Sequence, residues 1–158
     1  MPRSRHSELP ADTHRSPVKT KATKYFAKVA NRWDRMREDF FDGRIAEAVV
    51  KASAVRLGAT VVDVGCGTGF LIQQVAMETG GKGKILGVDL SPSMLETARE
   101  KLGKLGFLSS VEFRVGDAEA LPVDNNFADA VVGNMVLHHC PKPRHAISEM
   151  TRILKPGG

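Results

Sequence analysis

The stretch "VVDVGCGTGF", residues 61–70, sets three glycines at alternate positions directly after an apolar run. Alternating glycines make a poor strand and a poor helix, because each lacks a side chain to pack and loses the most backbone entropy on ordering. Between the β-branched run "TVVDVG" (60–65) and the helical pattern "FLIQQVAME" (70–78) they read as a sharp strand-to-helix turn. Such a turn faces the first N–H groups of the helix outward, and Gly65, Gly67 and Gly69 let a ligand be met by backbone rather than by side chain.

The spacing separates this turn from two other glycine-rich loops. A P-loop needs G-x-x-x-x-G-K-[ST], and no Lys-Ser or Lys-Thr follows here. A nicotinamide or flavin fingerprint is G-x-G-x-x-G, whereas this is G-x-G-x-G with Phe70 where the last glycine should stand.

Downstream, strand and helix alternate. "GKILGVDL" (83–90) reads as a strand, and "SPSMLETAREKLGKLG" (91–106) as a helix with Ser91 at its N-cap, Pro92 in the first turn, and Met94, Leu95, Ala98 and Leu102 on one face. "VEFRVGD" (111–117) and "FADAVVGNMVL" (127–137) read as two more strands around the turn-rich "LPVDNN", and "PRHAISEMTRILKPGG" as a last helix running into a Pro-Gly-Gly stop. This alternation predicts an α/β protein with a parallel sheet and right-handed crossovers.

Upstream, "KYFAKVANRWDRMREDFF" spaces Phe26, Ala30, Trp33, Arg37 and Phe40 by three and four, a helix with an aromatic stripe. Stripes of this kind commonly pack in a core, so Phe26 and Trp33 are candidates for packing as well as for ligand contact. Gly43 interrupts the pattern, and "RIAEAVVKASAVRLG" forms a second helix expected to end at Gly58. Residues 1–22 read as a disordered basic tail, without the apolar core of a secretory signal, and residues 23–158 as one domain.

Composition bounds the function. The 158 residues are 42% hydrophobic and 26% charged, enough for one domain that needs no staple, and no run of 18 apolar residues could span a bilayer. The net charge of +5 is concentrated in the tail, whose first 21 residues hold five Lys/Arg against two Asp/Glu. The folded part is thus nearly balanced and only 6% of the chain is aromatic, which weighs against a nucleic-acid partner. Cys66 and Cys140 read as two reduced thiols of a cytoplasmic protein.

Three carboxylates fall within or at the ends of successive strands around the glycine turn. Asp63 precedes it, Asp89 closes the second strand 24 residues after Gly65, and Asp117 follows the third. An acidic side chain at the end of the second strand can accept hydrogen bonds from both hydroxyls of a ribose. Together the three suit a ligand carrying ribose hydroxyls, an exocyclic amine and an ammonium, and they would repel a pyrophosphate.

"DVGCGTG", "GVDLSPSMLETAREK", "GDAEALPVDNNFADAVVGNMVLHH" and "EMTRILKPGG" resemble, in order, the motifs of class I S-adenosylmethionine-dependent methyltransferases. The resemblance covers about residues 23 to 158 and is closest to the small-molecule branch that includes ubiquinone/menaquinone C-methyltransferases and arsenite methyltransferases. It implies a Rossmann-like, doubly wound sheet of order 3-2-1-4 in this chain, with S-adenosylmethionine as cofactor and S-adenosylhomocysteine as product. By motif, Gly65 and Gly67 would approach the methionine part, and Asp63 would hold the ammonium or orient the turn. Asp89 would bind the ribose, Leu90 and Met94 would lie beside the adenine, and Asp117 would meet the adenine amine with Ala118 next to it. Asn134 would line the methyl-donor side, and Phe26 and Trp33 would belong to an N-terminal helical lid.

"LHHCP" offers His138 and His139 as candidate general bases, since imidazole titrates near neutral pH. It is not expected to hold a metal, because the nearest further ligand, His145, belongs to the next helix. Methyl transfer depends chiefly on in-line placement, since a sulfonium is intrinsically electrophilic. The Asn-Pro-Pro-aromatic signature of enzymes that methylate amino groups of bases or glutamine side chains is replaced by "GNMVLHH", and two cysteines are few for arsenite chemistry.

In the family, "RILKPGG" leads into a fifth strand, so the chain is expected to be a piece of a longer enzyme. Its fourth strand would then keep an open edge, a route to a homodimer. Two functions follow: methylation of a small-molecule acceptor, or a cofactor-binding module or fragment with no activity of its own.

Overall fold

A computed structural model describes residues 17–38 and 43–158, with the side chains of residues 17–20 left aside. The chain enters through α1 (Pro17–Val29), a 3-10 turn (Ala30–Arg32), α2 (Trp33–Arg37) and α3 (Gly43–Ala52). It then alternates through β1 (Thr60–Val64), α4 (Phe70–Glu78), β2 (Lys84–Asp89), α5 (Pro92–Lys104), β3 (Val111–Val115), β4 (Ala130–Val132) and α6 (Pro143–Ile153).

The four strands form one sheet of order β3-β2-β1-β4, parallel throughout, with Val61 opposite both Ile85 and Ala130. This is the order that the resemblance implies. The central strands are covered on both faces, so β1 and β2 are apolar almost without interruption, as a parallel sheet flanked by helices requires. On one face Val61, Ile85, Ala130 and Val132 pack against α3, α4 and α5 through Val50, Ile72, Val75 and Leu102. On the other, Val62, Val64, Leu86 and Val88 meet Leu121, Val123, Ala128 and Ile153. A third cluster seats the N-terminal helices on α5 through Val29, Ala30 and Met94, with Phe26 and Trp33 beside it.

Several element boundaries depart from the sequence reading. The first helix begins at Pro17, not Thr23, so the expected tail is shorter than 22 residues; Pro17 carries a φ already suited to a first helical turn. Residues 1–16 and Phe40 lie outside the described residues. The aromatic stripe runs over α1, the 3-10 turn and α2 in place of one helix. α3 stops at Ala52, because the chain turns at Ala54 with φ 49°, well before Gly58.

The expected strand 127–137 is correct only over Ala130–Val132. Its ladder to β1 ends at Asp63, and the chain then passes through Gly133 and the left-handed Met135 (φ 58°) into a 3-10 turn at Leu137–His139. Ser91 is the N-cap of α5 but does not cap with its side chain: its hydroxyl is buried without a partner, while its amide donates to Asp89 Oδ1 at 2.8 Å. The edge of β4 is also less open than expected at its start, where Leu154 bridges Ala128 in parallel and Lys155 N donates to Ala128 O at 2.9 Å. Among the described residues, no helix is long and apolar enough to cross a membrane.

Candidate functional site

The carboxyl ends of β1, β2 and β3 open onto one cavity of about 300 Å³, roofed by α1 and α2. This is where an open parallel sheet binds its ligands, at the point where the strand order reverses, here between β1 and β4.

The glycine turn forms its floor, and the three glycines serve different ends. Gly65 has φ +70°, and a Cβ there would stand 2.5 Å from Val136 Cγ2, so the turn after β1 and the loop after β4 touch where a side chain would be. Gly67, at φ +53°, has only Trp33 Nε1 within 4 Å of such a Cβ, at 3.9 Å; its bare face looks into the cavity. Gly69 faces away from the other two. It takes φ +79° at the N-cap of α4 and backs onto Leu102 and Ala98 of α5, so it shapes the turn without lining the cavity.

Asp89 ties this turn to β2. Its Oδ2 accepts from Gly67 N at 2.9 Å and its Oδ1 from Ser91 N at 2.8 Å. Burial raises its pKa, and the amides of Ser91, Gly67 and Leu90 partly offset that rise. Asp63 is 1% exposed, and neither of its oxygens has a hydrogen-bond partner. Burial pushes it well above the usual carboxylate range; the charge of Asp89 adds to this and Arg37 opposes it. Asp117 follows β3, and its Oδ1 accepts from Glu119 N at 2.9 Å in a local turn.

Leu90, Met94, Ala118 and Asn134 line the same cavity, as do Phe26, Trp33, His138 and His139. Phe26 joins the roof to the loop after β4: its ring meets Trp33 edge-on at 5.2 Å and His139 edge-on at 5.0 Å. His138 and His139 lie 3.8 Å apart, and burial followed by the charge of His138 holds the His139 imidazole below its ordinary range. Phe26 and Trp33 thus do both things their spacing allowed, packing against Met94 and lining the cavity.

Sequence reading missed several participants. Arg37, read as one position of a helical stripe, reaches the cavity with its guanidinium carbon 4.3 Å from the centroid of the Phe70 ring. Asp34 holds the roof down. It accepts from Thr68 Oγ1 at 2.5 Å and Lys101 Nζ at 2.9 Å, and pairs with Arg37 Nη2 at 3.3 Å. Met135 and Cys140 also line the mouth. A charged residue on an otherwise apolar stripe was the available signal for Arg37; the partners of Asp34 lie 34 and 67 positions away and left none.

Residues 61–158 match the family described as Methyltransferase domain. The ubiquinone/menaquinone biosynthesis C-methyltransferase UbiE of Salmonella arizonae is 35% identical over 136 residues, covering 84% of this chain and 54% of that protein. The chain spans about half the length of the curated relatives it matches. Among solved structures, the [4+2]-cyclase SpnF superposes with a TM-score of 0.79 at 25% identity, over 90% of this chain and 58% of that one. A SAM dependent methyltransferase from Aquifex aeolicus gives 0.67 at 29% identity, over 85% and 68%. A cyclase among the neighbours is a reminder that this fold carries more than one chemistry, so function has to be argued from the residues of the site.

Proposed function

Because this chain belongs to the class I S-adenosylmethionine-dependent methyltransferases, we propose that its cavity binds S-adenosylmethionine and that the methyl group passes to a small-molecule acceptor. The observation that carries this reading is Asp63, a carboxylate 1% exposed, at the cavity wall, with no donor to either oxygen. An unpaired buried carboxylate is costly, and a ligand ammonium placed against it removes the cost.

The other residues fit the remainder of that ligand. Asp89 accepts backbone amides at both oxygens, and the remaining lone-pair capacity of its carboxylate would serve a ribose hydroxyl. Asp117 would take the adenine amine, and Leu90, Met94 and Ala118 would give the purine an apolar flank. Gly65, Gly67 and Asn134 line the cavity; the two glycines would let the backbone run close to the methionine part, and Asn134 would stand on the methyl-donor side. Bound there, S-adenosylmethionine supplies an electrophilic methyl carbon and leaves as S-adenosylhomocysteine.

The chain's own contribution is placement. Trp33 and Phe26 roof the cavity and keep water from it, while Phe26, Met135 and the two histidines shape the side from which an acceptor enters. His139, kept neutral near pH 7 by its lowered pKa, is placed to accept the proton that an acceptor hydroxyl or ring carbon gives up, with His138 as the alternative base. An aromatic mouth and the similarity to a quinone-biosynthesis C-methyltransferase favour a quinol or phenol as acceptor.

Cys66 and Cys140 are not joined in a disulfide, which accords with work in a reducing, cytoplasmic compartment. The homodimer is kept as a proposal that rests on Ala130–Val132, which pair with β1 alone among the named strands. Light scattering tests it, and a clean monomer would refute it.

The first experiment is calorimetric titration with S-adenosylhomocysteine of the 158-residue chain and of Asp89→Ala, followed by assay of S-adenosylhomocysteine formation with quinol, phenol and thiol acceptors. Binding lost in the variant, with product formed from a quinol or phenol, is the expected result. A folded parent that binds no S-adenosylhomocysteine would overturn the reading.

A further inference from the structure

We infer that Phe26 of α1 is a positioning residue for methyl transfer: its ring orients the imidazole of His139, and through Trp33 it ties that orientation to the filling of the cavity floor. The inference rests on the reading above, in which S-adenosylmethionine fills the cavity and His139 takes a proton from the acceptor. It gives the roof a part in the chemistry that covering a ligand does not require.

A histidine acting as a base is ordinarily held by a hydrogen bond from its second ring nitrogen to a carboxylate or carbonyl. Among the described residues no hydrogen bond meets the His139 imidazole, and its directional contacts are with two other rings. Phe26 stands edge-on to it at 87° with centroids 5.0 Å apart, and His138 lies tilted by 43° at 3.8 Å. His138 belongs to the same 3-10 turn and is exposed, whereas Phe26 comes from another element and packs against the cluster of Val29, Ala30 and Met94.

The backbone beneath the ring is fixed. His139 N donates to Val136 O at 3.0 Å, and Val136 occupies the notch at Gly65. The imidazole is thus carried on a braced turn and oriented by ring packing. An edge-to-face contact is directional, so a well-seated Phe26 sets the plane of its partner.

Phe26 is in turn held by Trp33, edge-on at 85° and 5.2 Å. Trp33 reaches over the glycine turn, with Nε1 3.9 Å from where a Cβ of Gly67 would stand. A ligand seated against the bare face of Gly67 therefore meets Trp33. Gly67, Trp33, Phe26 and His139 form a line of neighbours from the cavity floor to its mouth. A ligand biases a distant group only through a contact that differs between filled and empty states, and Trp33 supplies that contact.

The test compares a ring with an aliphatic side chain at position 26. Phe26→Leu keeps an apolar group in the roof and removes the ring, and Phe26→Tyr keeps the ring. Nuclear magnetic resonance of the histidine-labelled 158-residue chain and of both variants reads the χ1 couplings of His139 at fixed pH, without ligand and with S-adenosylhomocysteine at saturation. The parent and Phe26→Tyr are expected to show a single rotamer, with imidazole resonances that move when the ligand binds. Phe26→Leu is expected to show averaged couplings that the ligand leaves averaged. In methyl-transfer assays Phe26→Leu should lower kcat roughly two- to tenfold, the range of one aromatic pair, and change KM for S-adenosylmethionine less; Phe26→Tyr should restore the rate.

Averaged couplings in the parent, or a single His139 rotamer in folded Phe26→Leu, overturn the proposal. So does a parent whose His139 signals are unchanged by bound S-adenosylhomocysteine, a result that stands even if the melting curve shows Phe26→Leu to be unfolded. A folded parent that binds no S-adenosylhomocysteine brings down the cofactor reading and the link through Trp33, while the couplings still decide whether Phe26 orients His139.

Discussion

Thr68 Oγ1 donates to Asp34 Oδ1 at 2.5 Å, so a hydroxyl of the glycine turn is bonded directly to the helix that roofs it. Lys101 of α5 grips the other oxygen of Asp34 at 2.9 Å. One half-exposed carboxylate therefore fastens the roof to two separate elements of the sheet domain.

Replacing Asp34 by Ala should loosen the roof more than the sheet. Burial pushes this carboxyl up, but the Thr68 hydroxyl, Lys101 and Arg37 outweigh burial and leave its pKa lowered. Its contribution to stability is thus present above the ordinary carboxylate range and is lost as pH falls through the lowered value. Because Asp34 is partly solvated, the effect near neutral pH is about 1 kcal/mol. Hydrogen exchange should show faster amides in α1 and α2 with β1 and β2 unchanged; uniform acceleration would count against a local fastening.

Asp63→Asn should strengthen the ligand-free fold and weaken the ligand complex. Burial first, and then the charge of Asp89, push the Asp63 carboxyl upward in the folded chain. The folded state consequently holds the proton more tightly than the unfolded one, so the ionised group detracts from stability increasingly as pH rises above the ordinary carboxylate range. The variant should melt a few degrees above the parent at neutral pH, with the gap closing as pH falls to the ordinary carboxylate range. Melting curves over that span check it, and a variant melting below the parent at pH 7 would refute it.

Gly65→Ala and Gly67→Ala should fail differently. At Gly65 the new methyl would stand 2.5 Å from Val136 Cγ2, so backbone strain and overlap together should cost about 2–4 kcal/mol. At Gly67 the space is open, leaving mainly the cost of a left-handed residue, about 1 kcal/mol, and a lost approach for ligand. Denaturant unfolding of both, and of Gly65→Ala with Val136→Ala, separates the terms: the second substitution should recover part of the loss.

His139→Gln should alter the pH profile of methyl transfer and spare cofactor binding. With its pKa lowered by burial and by His138, a His139 base stays active to below about pH 6.5. The parent rate should rise with pH through a midpoint below that value and level off by neutrality. The variant should lose that step and keep its affinity for S-adenosylhomocysteine. An unchanged profile would remove His139 from the reaction.

The sheet was legible because a buried parallel strand leaves a strong local trace: "TVVDVG" and "KILGVD" are β-branched or apolar on both faces, and glycine turns bound them. The fourth strand was overread for the same reason. "FADAVVGNMVL" is apolar throughout, yet pairing with β1 ends at Asp63, and the positive φ of Met135 cannot be read from its side chain. At the site, residues at strand ends were legible because topology alone brings them together. Gly69 was assigned by motif spacing, which does not say which way a turn faces. Arg37 and Asp34 escaped because their meaning depends on Phe70, Thr68 and Lys101, which only the folded chain brings to them.

Val136 fills the space that Gly65 leaves empty, so the loop after β4 is anchored at its start by the same turn that floors the cavity. For anyone redesigning this protein, that contact marks a border. On its near side, Val136 and Gly65 behave as a single part and must be changed together or left alone.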